Sequence, residues 1–84
     1  MKTHKYLSIA NRLIKKNKLL DAERTLKKGL EANPKLYLYY TELGDICTKL
    51  KKISEAERYY NKALALNPKA TWIFQKIKML GKFT

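Results

Sequence analysis

The sequence predicts an all-α fold of tandem antiparallel helix hairpins, with five helices in one domain over residues 1–84. The main observation is an internal repeat, in which eleven residues recur 34 positions later. The pairs are Tyr6/Tyr40, Lys15/Lys49, Lys18/Lys52, Ala22/Ala56, Glu23/Glu57, Arg24/Arg58, Lys28/Lys62, Leu30/Leu64, Asn33/Asn67, Pro34/Pro68 and Lys35/Lys69. A period of this length is typical of helical hairpins that bury their apolar faces against neighbouring hairpins. The second observation is that apolar residues in both copies recur at helical spacing.

The first repeat, about residues 3–36, is predicted to form helices at about 4–16 and 20–32. Their inner faces consist of Tyr6, Ile9, Ala10, Leu13 and Ile14, and of Leu19, Ala22, Leu26, Gly29 and Leu30. Asn17 separates the helices, and asparagine tolerates the left-handed conformation that a tight turn requires. Pro34 is expected to end the second helix and to start the next one.

The second repeat, about residues 37–70, follows the same plan, with helices at about 36–50 and 54–66. Its inner faces consist of Tyr40, Leu43, Gly44 and Cys47, and of Ile53, Ala56, Tyr60, Ala63 and Leu64. Ser54, with Glu57 three residues later, predicts a capping box at the start of its second helix.

The fifth helix is expected at about residues 70–82. Phe74 and Ile77 begin a third copy in phase, but Lys78 stands where that copy needs a small residue, and Gly81 stands where it needs an aromatic one. This helix is therefore interpreted as a cap that shields the apolar face of the second hairpin and completes the protein.

The pattern resembles the tetratricopeptide repeat, whose signature combines aromatic residues with a leucine, small residues and a closing proline. The second copy matches it as Tyr40, Leu43, Gly44, Ala56, Tyr60 and Pro68, and the first more loosely as Tyr6, Ile9, Ala10, Ala22, Leu26 and Pro34. Cys47 and Leu13 depart from it, because they replace aromatic residues. The resemblance implies a helical solenoid that binds other proteins.

In this family the first helix of each repeat lines a concave groove. The resemblance therefore implies a partner-binding groove at Leu7, Asn11, Lys15, Leu38, Thr41, Asp45, Lys49, Trp72, Gln75, Met79 and Phe83. Apolar anchors beside amides and lysines suit an extended peptide or an amphipathic helix. The alternative is that some of these residues only cover the short solenoid. The clamp that some members use for a C-terminal carboxylate is absent, because Leu7, Glu42 and Trp72 replace three of its residues.

The composition favours a single globular domain. Hydrophobic residues make up 45% of the chain, which is ordinary for a folded protein. No apolar run approaches the roughly 18 residues of a membrane span, and residues 1–15 do not form a secretory signal. Cys47 is the only cysteine, which excludes a disulfide framework and favours a reducing, cytoplasmic compartment.

No catalytic residue, metal site or cofactor is predicted. His4 is the only histidine, and Cys47 occupies an interior position with no histidine near it to activate the thiol. Glu23 and Glu57 are interpreted as charges on the helix surface. The sequence contains no glycine-rich phosphate loop and no cysteine–histidine spacing for zinc. We therefore expect that the protein is not an enzyme.

The cap carries more apolar residues than one packing face requires. Trp72, Met79 and Phe83 are expected together on its groove side, as an anchor for a partner or for a second copy of the chain in a weak homodimer. The alternative is that Phe83 folds back and is buried locally. Two repeats are fewer than the three or so that usually give a stable array, which favours an added interface.

The net charge of +12 bears on partners rather than on the fold. Lysines around both turns are expected to form one basic edge: Lys15, Lys16, Lys18, Lys49, Lys51, Lys52 and Lys82. The edge suits an acidic protein or a phosphate backbone, or it only keeps the protein soluble. It contains no arginine and no aromatic residue, which disfavours nucleic acid.

The leading hypothesis is a non-catalytic adaptor or scaffold that binds a peptide or helix of another protein in its groove. The alternative is an RNA- or ribosome-associated protein that binds phosphates through the basic edge.

Overall fold

The computed structural model of the chain describes the backbone of residues 3–83 and the side chains of residues 5–82. Five α-helices follow one another: α1 Thr3–Lys15, α2 Leu19–Ala32, α3 Tyr37–Lys49, α4 Ile53–Leu66 and α5 Trp72–Leu80, with a 3₁₀ turn at Gly81–Phe83. No strand occurs in this part of the chain, which confirms the all-α prediction. Helices α1 and α2 form the first hairpin, and α3 and α4 form the second. No described helix has the length and apolar character to cross a membrane.

The two hairpin turns have the same hydrogen-bonded conformation. Asn17 has φ 60°, and the amide of Lys18 donates to the carbonyl of Leu13 at 2.8 Å. In the second turn Lys51 has φ 65°, and Lys52 donates to Cys47 at 2.8 Å. Both are Schellman motifs, in which one left-handed residue ends the helix. The prediction for Asn17 is confirmed, and Lys51 adopts the same conformation although its side chain disfavours it.

The predicted capping box does not form. Lys52 precedes the first residue of α4 and makes no side-chain cap, and the Ala56 amide already donates to the Lys52 carbonyl at 3.0 Å. Ser54 therefore lies inside the first helical turn, two positions after the cap. The Schellman motif causes this difference, because it fixes where the chain can re-enter helical geometry.

The connections between hairpins also differ from the prediction. The amide of Leu36 donates to the carbonyl of Asn33 at 3.3 Å, and Ala70 donates to Asn67 at 3.0 Å. Each bond closes a four-residue turn with proline in its second position, where the fixed φ of proline fits. Pro34 therefore does not start the next helix, which begins three residues later.

The core consists of two equivalent clusters. The first contains Ala10, Ala22, Leu26, Tyr39, Leu43 and Ile46, and the second contains Cys47, Ala56, Tyr60, Ala63, Ala70, Ile73 and Leu80. Ile73 and Leu80 of α5 stand 34 positions after Tyr39 and Ile46 of α3. Helix α5 thus packs on the second hairpin with the same face that α3 presents to the first.

Small residues face large ones where helices come closest. An added methyl group at Gly44 would collide with the Tyr60 ring, and one at Gly29 would lie 2.6 Å from the Tyr39 ring. In the first hairpin the residues equivalent to Gly44 and Tyr60 are Ala10 and Leu26, both fully buried. A larger residue on one helix is thus accompanied by a smaller one on the other.

Gly44→Ala should therefore destabilise the protein by about 1–2 kcal/mol, because overpacking against a rigid ring outweighs the higher helix propensity of alanine. Urea denaturation followed by circular dichroism measures this change. Gly81→Ala is the matched control, since nothing lies within 4 Å of the added methyl group. Its effect should stay within about 0.5 kcal/mol.

The double variant Gly44→Ala/Tyr60→Leu reproduces the Ala10/Leu26 pair of the first hairpin. Its free energy of unfolding should exceed the value expected from adding the two single effects by about 1 kcal/mol or more. Strict additivity would contradict the size complementarity inferred here.

Candidate functional site

A groove of about 440 Å³ lies between the first helices of the repeats. Its lining comes from α1 (Asn11, Ile14), α3 (Glu42, Asp45, Ile46, Thr48, Lys49), α4 (Tyr60) and α5 (Lys76, Met79). Four residues that the family resemblance placed in a binding groove line it: Asn11, Asp45, Lys49 and Met79. The volume lies in the range of natural ligand pockets.

The other described residues of the predicted groove are not part of the lining of this cavity. Leu7 and Leu38 are half-buried, whereas Lys15, Trp72 and Gln75 are exposed. Trp72 is half exposed, and its ring centroid lies 6.2 Å from that of Tyr37. The side chain of Phe83 lies outside the described residues.

Thr41 was predicted to face the groove, but it is buried. Only 5% of the residue is exposed, and its hydroxyl donates to the carbonyl of Tyr37 at 3.2 Å within its own helix. A partner in the groove therefore has little of Thr41 to contact.

Sequence reasoning did not include Glu42, Thr48, Tyr60 and Lys76 among the groove residues. Glu42 and Lys76 occupy the same repeat position and carry opposite charges, which is a signal that could have identified them. Tyr60 was assigned only to the core. Its ring is buried there, but its hydroxyl reaches the groove.

Asp45 joins three helices at the floor of the groove. The Tyr60 hydroxyl donates to Asp45 Oδ1 at 2.5 Å, and Lys76 Nζ donates to the same oxygen at 3.0 Å. Burial and the hydrogen bond to Asp45 raise the pKa of Tyr60 well above its usual value. Tyr60 therefore remains a neutral donor, and Asp45 holds α4 and α5 in place.

Glu42 lies one helical turn before Asp45 and is half-buried. No hydrogen bond or ion pair joins its carboxylate to any other described residue. Burial, and then the negative charge of Asp45, raise the pKa of Glu42, and the charges of Lys76 and Lys49 oppose them. The groove thus contains one carboxylate that is paired within the protein and one that is open to solvent and bonds to no other described residue.

Glu23 is buried, with 8% exposure, so its interpretation as a surface charge was wrong. It lies beside Cys47 and Glu55, and the ligand atoms of the three lie within 4.8 Å of one another. The equivalent Glu57 stays exposed. Gly81, which lies near Glu57, stands 34 positions after Cys47 in the sequence. Because glycine has no side chain, it shields Glu57 from solvent less than Cys47 shields Glu23.

Cys47 is fully buried and its Sγ lies 3.9 Å from Glu55 Oε2. Burial, followed by the charges of Glu23 and Glu55, raises the pKa of Cys47 to about 11. The thiol is therefore protonated at neutral pH and is no nucleophile. The three side chains are the described residues that could hold a metal ion, and a metal there would have to displace this proton.

All seven lysines of the predicted basic edge are exposed: Lys15, Lys16, Lys18, Lys49, Lys51, Lys52 and Lys82. Leu50, at the end of α3, lies beside Asn17 and Lys18 in the first turn. Gly81, after α5, lies beside Ile53 and Ser54 at the start of α4. The two turns and the end of α5 therefore follow one another along one side of the molecule.

The fold and the groove define a helical-repeat protein with a concave surface. Residues 37–70 match the family model of the tetratricopeptide repeat. Together with the five helices in consecutive hairpins, this match supports a tetratricopeptide-repeat fold, and members of that family are typically protein–protein interaction modules. No curated protein matches the chain.

The raised pKa of Glu42 leads to a prediction about stability. The folded state binds the Glu42 proton more tightly than the unfolded state, so this favourable contribution is complete at low pH and is lost as the pH rises through the folded-state pKa. At pH 7.5, Glu42→Gln should therefore raise the melting temperature by about 2–4 °C, the shift that roughly half a kcal/mol produces in a domain of this size.

The gain should shrink as the pH falls to 4. Glu57→Gln removes the same charge from an exposed site of α4 and controls for the change in net charge. Thermal unfolding of both variants against wild type checks the prediction. Equal melting curves for the two variants across this pH range would contradict it.

Proposed function

We propose that this chain is a non-catalytic adaptor that binds a peptide or helix of a partner protein in the groove. The supporting observation is the composition of the groove, where Ile14 and Met79 provide apolar contact beside the polar groups of Asn11 and Asp45. Natural ligand sites combine apolar walls with a few fixed polar groups in this way. Peptides and amphipathic helices use the same combination of anchors.

Exposed apolar side chains on α5 extend this surface. Trp72 and Met79 are 50% and 52% exposed, and Met79 lines the groove. Aromatic residues and methionine are enriched at protein interfaces. We propose that both contact the partner, and that self-association through α5 is a weaker use of the same apolar surface.

Replacing both Trp72 and Met79 with alanine should abolish partner capture in pull-downs from the source cell. Neither residue belongs to the buried core, so helicity should be unchanged by circular dichroism. Quantitative mass spectrometry of the captured proteins gives the readout.

Phe74→Ala is the matched control, because Phe74 is 51% exposed and lies on a different face of α5. Capture that survives the Trp72/Met79 double substitution, or that is lost equally with Phe74→Ala, would reject the groove assignment. Light scattering of the same variants shows whether the lost contact is with a partner or with a second copy of the chain.

The second candidate function, RNA binding through the basic edge, is supported by the exposure of all seven lysines along one side. It predicts that affinity for labelled RNA falls linearly with the logarithm of salt concentration, and that each phosphate-contacting lysine contributes about 0.7–0.9 to the slope. Substituting Lys15, Lys16 and Lys18 with glutamine should then reduce the slope by about 2–3.

The control replaces three other lysines with glutamine: Lys28, Lys62 and Lys69, which are exposed away from the hairpin turns. This control should reduce the salt slope less. Fluorescence anisotropy at several salt concentrations measures both sets. Absence of binding at low salt would eliminate this function.

A further inference from the structure

Glu42 is the carboxylate in the groove that bonds to no other described residue. Asp45 accepts hydrogen bonds from Tyr60 at 2.5 Å and from Lys76 at 3.0 Å, whereas no described residue bonds to the neighbouring Glu42 carboxylate. The Glu42 oxygens remain open to water, since no fully buried side-chain oxygen or nitrogen among the described residues lacks a hydrogen bond. A half-buried carboxylate in a cavity wall therefore provides an acceptor for a donor on a ligand.

The nearby lysines do not fill this role. Lys76 is held by Asp45, and Lys49 is exposed and makes no ion pair with Glu42 among the described residues. Moving Lys76 to Glu42 would leave Asp45 with less charge compensation. An occupant of the groove can therefore supply the donor in place of water.

We infer that the groove selects partner segments through an arginine side chain whose guanidinium group pairs with Glu42. This inference rests on the proposed function and specifies the chemistry of the partner. The apolar walls formed by Ile14 and Met79 suit the aliphatic stem of a long basic side chain, whose charged end then reaches the carboxylate.

Arginine fits this site better than lysine does. Its guanidinium group is more weakly hydrated than an ammonium group, so less free energy is lost when it enters a half-buried site. Its planar fork also matches the two oxygens of a carboxylate. A lysine would offer a compact, strongly hydrated charge at the same place.

The charge of the whole chain restricts the rest of the partner segment. A net charge of +12 repels basic peptides and attracts acidic ones. The favoured segment therefore carries one arginine beside an apolar residue, with otherwise neutral or acidic residues. The acidic residues face the positive surface, and the arginine meets the local negative charge of Glu42.

The electrostatics of Glu42 support this site. Burial and Asp45 raise its pKa against the opposing charges of Lys76 and Lys49, so its ionised form is less favourable than that of an exposed glutamate. A position where an ionisable side chain weakens the fold without an internal partner is a candidate for function.

Selection from a phage library of randomised dodecapeptides tests the inference. Peptides bound by the wild-type chain should be enriched in a single arginine next to an apolar residue. Replacing that arginine with the isosteric, uncharged citrulline should weaken binding at least tenfold in the wild type. Against Glu42→Gln the two peptides should bind alike, and Glu57→Gln should behave as the wild type does.

The outcomes separate this inference from the proposed function. Peptides whose binding depends on Met79 but that lack arginine, or that bind equally well with lysine or citrulline, would overturn the inference and leave groove binding intact. If no selected peptide is sensitive to Met79→Ala, both fail. If the groove signals in NMR spectra shift with protein concentration alone, a second copy of the chain occupies the groove and the arginine inference is wrong.

Discussion

The close approach of α3 and α4 at Gly44 is the constraint on which the rest of the structure depends. Because Gly44 has no side chain, the Tyr60 ring can lie against the α3 backbone, and its hydroxyl then reaches Asp45. Asp45 in turn binds Lys76 of α5. A single absent methyl group thus determines the packing of the second hairpin, the position of α5 and the charge distribution in the groove. Core packing and binding chemistry are not separate in so small a protein.

Most of the fold could be predicted from the sequence because the 34-residue period relates each residue to a second one in the same environment. The period gave the number and order of the helices, and Asn17 identified the first turn. Local details followed from interactions that the period does not encode. Lys51 takes a left-handed conformation because its hairpin requires the same turn, and that turn places Ser54 inside α4. Tertiary geometry overrode residue preference at both positions.

The candidate site was less predictable, because a repeat position predicts which face of a helix a residue occupies but not which side chains surround it. Thr41 and Glu42 are adjacent, yet Thr41 is buried and Glu42 lines the groove. Glu23 and Glu57 are equivalent by sequence, but the residue packed beside them differs: Cys47 in one case and Gly81 in the other. Repeat symmetry fails at the last helix, where a third complete copy would be needed to produce the same surroundings.

The charge of Glu42 relates the stability of the protein to its proposed function. A chain of two repeats and one further helix has a small core, so an uncompensated charge in it is more consequential than in a large protein. Asp45, the other acidic residue of the described groove lining, is paired with Tyr60 and Lys76, whereas Glu42 keeps a half-buried charge without a bonded neighbour. Relieving that cost with glutamine would require a single change and would leave the packing intact. The proposed binding would explain why the charge is kept, because a ligand that brings its own cation would recover in the complex what the free protein loses.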